Sequence, residues 1–120
     1  WLLRLSEAAA REGQLQAARA FAEEAIERDP LMVRAYAQLA DVAAQAGDAA
    51  GISAAIERGI AFEPRSSQSL RQVEAYAWDR MGDRERTLAA LEAAVPRGPF
   101  SRPQAVLAQI ATLRRQTQSR

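Results

Sequence analysis

The stretch VRAYAQLADVAAQAGDAAGISAAIERGIAFEP, residues 33–64, decides how this chain is read. Tyr36, Leu39, Val42 and Ala43 recur at helical spacing, the run stops at Gly47, and a second run ends before Pro64. Glycine suits a position where a helix must stop and the backbone must turn with φ > 0. Proline suits a position where a helix has ended and cannot continue. Asp48, directly after the glycine, can accept hydrogen bonds from the first free N–H groups of the next helix. The stretch therefore reads helix, glycine turn, helix, proline turn.

The same beat extends in both directions. Gly13, Gly47 and Gly82 are each followed 17 residues later by Pro30, Pro64 and Pro99, and the beat recurs after 34 and then 35 residues. A fixed period of this length marks a repeat architecture, in which one unit cannot bury its apolar face alone. The units are 1–30, 31–64 and 65–99, with the extra residue of the second step near Ser66-Ser67 in the connecting loop. The spacing predicts helices over Leu2–Glu12, Leu15–Arg28, Val33–Ala46, Ala49–Phe62, Ser69–Met81 and Arg84–Val95. Pro96 should shorten the last of these and leave Arg97-Gly98-Pro99 as a stiff loop. A further helix over Pro103–Gln116, within a closing segment 101–117, has Ser101 as its cap and an apolar face of Val106, Leu107, Ile110 and Leu113. It reads either as the end cap of the array or as the first helix of a truncated repeat. The chain opens inside a helix at Trp1, as expected of a piece of a longer array.

Composition narrows the function classes. Alanine, the best helix former, is the commonest residue, and there is no apolar run long enough for a membrane span. All 16 basic residues are arginine, and they alternate with 15 acidic ones for a net charge of +1. That is a solvated surface and not a polybasic patch for nucleic acid or anionic lipid. Histidine and cysteine are absent, which removes the commonest general base, the thiol nucleophile and the usual zinc ligands. The carboxylate pairs Glu23-Glu24 and Asp83 with Glu85 have arginines nearby and read as surface charge. The expectation is a non-enzyme with no cofactor and no metal.

The period, with Tyr36, Leu39, Ala40 and Ala43 in one helix and Gly47-Asp48, Ile56, Gly59 and Pro64 after it, resembles the tetratricopeptide repeat (TPR). The first unit matches at Leu2, Leu5, Ser6, Ala9, Gly13, Ala18, Ala25 and Pro30. The third matches at Gly82-Asp83, Leu91, Ala94 and Pro99, but Arg71 and Glu74 stand where apolar residues are expected. The resemblance implies an all-α, right-handed α-solenoid of about three helix–turn–helix units plus a single helix. It also implies a concave groove lined by the first helices, at Leu3, Glu7 and Arg11, at Arg34, Gln38, Asp41 and Gln45, and at Gln72, Tyr76, Asp79 and Arg80. TPR proteins that clamp a partner's terminal carboxylate use Lys and Asn in this groove, and the chain has neither, so that mode is disfavoured.

Arg71 and Glu74 leave two arrangements open. Either they form a partly buried ion pair, or the helix rotates so that Leu70, Val73, Ala77 and Met81 face inward. Burying unpaired charge is costly, which favours rotation and would place Trp78 at the edge of the packing, a candidate contact beside Tyr76. The alternative is Trp78 as core between units two and three. Gly51, inside a helix, should tolerate alanine.

Two functions of different class follow. One is a protein-interaction scaffold, with contacts centred on Arg34, Asp41, Tyr76 and Arg80. The other is a structural spacer or self-association module of a cytoplasmic protein. The Ala/Arg-rich, Lys-free character and Glu27-Arg28-Asp29-Pro30 also resemble the periplasmic TPR arms of bacterial outer-membrane exopolysaccharide exporters of the Pel and cellulose types. That resemblance implies a periplasmic segment whose partner is a polysaccharide-modifying enzyme, without direct membrane contact. Direct contact with polysaccharide is a further reading.

Overall fold

A computed structural model describes residues 1–94 and 104–118. These residues form an all-α fold without strands: α1 (Leu2–Arg11), α2 (Leu15–Arg28), α3 (Val33–Gln45), α4 (Ala49–Phe62), α5 (Ser67–Arg80), α6 (Arg84–Ala94) and α7 (Gln104–Gln118), with a 3-10 turn at Pro64–Ser66. The expectations for Pro96 to Pro99 and for Ser101 and Pro103 lie outside the described residues.

The glycine turns are built alike. Gly13, Gly47 and Gly82 have φ of 78°, 72° and 76°, the left-handed region that a Cβ disfavours. After each, the next N–H reaches back to close the helix: Gln14 to the Ala9 carbonyl at 2.9 Å, Asp48 to Ala43 at 2.8 Å, Asp83 to Trp78 at 3.0 Å. This is the Schellman closure, which satisfies carbonyls that the helix end leaves free. The aspartates then start the next helices as expected. Asp48 Oδ1 accepts from the Gly51 N–H and Asp83 Oδ1 from the Arg86 N–H, both at 3.0 Å.

Packing follows the chain. The odd helices α1, α3 and α5 lie side by side, while α2 packs on α1 and α3, α4 on α3 and α5, and α6 on α5 and α7. The shortest dimension, 20 Å, equals about two helix diameters, so the molecule is two helix layers thick. Fully buried Ala18, Ala22, Ala35 and Ala40 allow the close approach. Gly59 allows one closer still, because a Cβ there would stand 2.6 Å from Leu70 Cδ1 and 3.0 Å from Tyr36 Cγ. Tyr36 is buried, donates its hydroxyl to the Pro30 carbonyl at 2.7 Å, and stacks on Phe62. Ile110 and Leu113 of α7 join the core formed by α5 and α6.

Three expectations are corrected. First, α5 starts at Ser67, because residues 64–66 form a 3-10 turn instead of an open loop. Glu63 makes the turn, accepting the Arg65 N–H at its Oε1 and the Ser66 hydroxyl at its backbone carbonyl. Second, rotation of α5 does not replace the ion pair. Arg71 bonds Glu74 at 2.9 Å and Glu57 at 2.8 Å while Leu70 and Ala77 are buried. Burial works against the Arg71 charge, but the two carboxylates outweigh it and hold the guanidinium above its ordinary range. Trp78 is 3% exposed, so of its two readings the one as core between units two and three holds. Third, Gly51 is not a free alanine position: a Cβ there would stand 2.4 Å from Asp48 Oδ2 and 3.0 Å from Ala43 Cβ.

Candidate functional site

Of the expected groove residues, Asp41, Tyr76 and Arg80 come together. Because α3 and α5 are neighbours, Arg80 Nη1 reaches Asp41 Oδ1 across the two helices. The same guanidinium lies 5.9 Å from the Tyr76 ring centroid, within cation–π range. Tyr76 is 63% exposed, although its helix neighbours Ala75 and Ala77 are buried. An aromatic ring is thus held outward, next to a fixed charge pair.

Glu7 and Arg34 line one recess at the other end of this layer, where α1 and the start of α3 border it together with Trp1, Arg4 and Met32. Leu3 is half-buried and packs on the core. Gln38 is drawn inward: its Nε2 donates to Ser6 Oγ at 3.1 Å, and Ser6 donates to the Ala18 carbonyl at 2.7 Å. Gln38 therefore joins α3 to α1 and is not a free groove contact. Arg11, Gln45, Gln72 and Asp79 are exposed and make no side-chain hydrogen bond among the described residues.

The sequence reading missed three features. The buried Ser6 hydroxyl bridges α1, α2 and α3, and its only signal was a small polar residue within an apolar run. Arg58 joins α4 to α2 through both Glu23 oxygens, at 3.0 and 3.2 Å. That hydrogen bonding holds the guanidinium above its ordinary range. Arg86 lies 4.6 Å over the Trp78 ring. Helical spacing alone cannot foresee pairs made between helices.

Among the described residues no group of three His, Cys, Asp or Glu side chains is placed to hold a metal, and no helix is long and apolar enough to cross a membrane. No family model and no curated protein matches the chain.

Proposed function

We propose that this chain is a non-catalytic protein-interaction scaffold, a segment of a TPR-type α-solenoid whose α1–α3–α5 face receives a partner. The observation that carries the reading is the exposed Tyr76 ring beside the Asp41–Arg80 pair, on two adjacent helices. Tyrosine and arginine are favoured interface anchors, and this ring loses little freedom on binding because Arg80 already lies beside it. The solenoid assignment is supported by the three identical glycine turns and by the side-by-side packing of the odd helices.

The experiment is a pull-down from the native host with Tyr76→Ala/Arg80→Ala. The double variant should bind the recovered partner at least tenfold more weakly, about 1.4 kcal/mol, with an unchanged helical signal. Equal recovery would exclude this face. The setting we propose is the periplasmic arm of an exopolysaccharide exporter, supported by the Ala/Arg-rich, Lys-free repeats alone. The flanking gene sequence tests it: an upstream signal peptide and downstream alternating ten-residue strands are expected. Their absence would return the chain to a cytoplasmic setting.

A further inference from the structure

The first and second units are joined differently on their two sides. On the side of the first helices the joint is neutral: the fully buried Ser6 hydroxyl donates to the Ala18 carbonyl and accepts from Gln38 Nε2. On the side of the second helices an open cleft of ≈ 160 Å³ lies between α2 and α4, with Leu39, Val42 and Ala43 of α3 among its lining residues. The last lining residue on each wall is charged, Glu23 on α2 and Arg58 on α4. Arg58 Nη1 reaches the two Glu23 oxygens at 3.0 and 3.2 Å. Among the described residues this is the one ion pair that joins α2 to α4. At the next joint the counterparts of Glu23 and Arg58 are Glu57 and Ala93, and Glu57 bonds Arg71 of α5 instead.

We propose that the Glu23–Arg58 pair is a strap, sensitive to ionic strength, that sets the width of the α2–α4 cleft and with it the angle between the first and second units. The Arg58 and Glu23 side chains are 42% and 35% exposed, so mobile ions reach them, whereas the buried Ser6 hydroxyl is out of their reach. An exposed pair of this kind shifts a two-state balance about 1.4- to 5-fold, enough to bias an angle and too little to hold the fold. Release leaves Glu23 a second partner, because Arg19 precedes it by four residues on the same helix, a spacing at which opposite charges meet. α2 then shifts on α3 by a small sliding of packed helices, along a contact where Ala22, Ala35 and Ala40 offer little to interlock. The side held by Ser6 and Gln38 stays closed while the cleft widens. None of Asp41, Tyr76 and Arg80 lines this cleft, and the proposal holds whether or not the face above receives a partner.

The chain has no cysteine, so spin labels go only where cysteines are placed. Ala20 on α2 and Ala61 on α4 are exposed and lie outside the cleft lining. With Ala20→Cys/Ala61→Cys labelled, pulsed EPR on the whole chain reads the distance between the two helices. Raising NaCl from about 0.01 M to about 1 M shortens the screening length from about 30 Å to about 3 Å. A longer-distance component should grow about 1.4- to 5-fold, with an unchanged far-UV circular dichroism signal. Glu23→Gln should show that component already at low salt and respond no further, and Arg58→Gln should do the same from the other side. Glu23→Arg/Arg58→Glu should restore the shorter distance at low salt. A distribution identical at the two salt concentrations would overturn the proposal. So would a salt response that survives in Glu23→Gln or Arg58→Gln, or a reversed pair that fails to bring the shorter distance back.

Discussion

Gly47 and Gly51 show how differently one residue type can be used four positions apart. Gly47 has positive φ and open space around it, so a side chain there costs backbone strain alone. Gly47→Val should lower stability by about 1–2 kcal/mol or more, read as a denaturant midpoint. Gly51 has ordinary helical φ, but its missing Cβ is the space used by the Asp48 carboxylate. Gly51→Ala should therefore destabilise by about 1 kcal/mol through the displaced cap, and should cost much less when Asp48 is already alanine. The turn glycine was legible because its proline partners keep the same spacing. The cap glycine was not, because nothing in the local sequence says which way an aspartate swings. Tyr36 adds a pH dependence. Burial pushes its phenol up from the usual ~10, so the fold favours the protonated form. The stability this gives is present below about pH 10 and is lost as pH rises through the raised value. Tyr36→Phe should be about 1 kcal/mol less stable at neutral pH, by loss of the bond to Pro30, and should not show that alkaline loss in thermal melts.

Helices as elements were the most legible part of the chain, and α5 shows where that legibility ends. Its start moved two residues because Glu63 and Ser66 fold the connection into a 3-10 turn, a choice made by side chain-to-backbone bonds that periodicity does not register. Its Arg71 and Glu74 kept their inward positions because Glu57, on the preceding helix, supplies a second carboxylate. Their counterparts in the previous unit are Tyr36 and Leu39, which lie in the core. Glu74→Leu alone should therefore destabilise, leaving Arg71 half-buried with a single partner. Arg71→Tyr/Glu74→Leu should recover most or all of that loss. Denaturant midpoints of the two variants check the order. A double variant no better than the single one would show that the pair does more than satisfy itself.

At the scale of the molecule, contacts run between helices close in sequence, so stability should grade along the array. Hydrogen exchange should be slowest in α3, α4 and α5, which are covered on both sides, and fastest in α1 and α7. The layered arrangement was legible because each unit's apolar face needs a neighbour. The proposed interaction surface was legible only as a list of exposed positions on the first helices. Its joining of Asp41 to Arg80, and its loss of Gln38 to Ser6, depend on distances between helices that no single helix encodes. The two tryptophans now become useful for another reason. Trp1 is 89% exposed and Trp78 is 3% exposed, beneath Arg86. Their emission should separate into a red-shifted, acrylamide-quenchable component and a blue-shifted, protected one. The blue component watches the junction between the last two glycine turns, so its decay in a stopped-flow unfolding experiment times the opening of that junction without any attached dye.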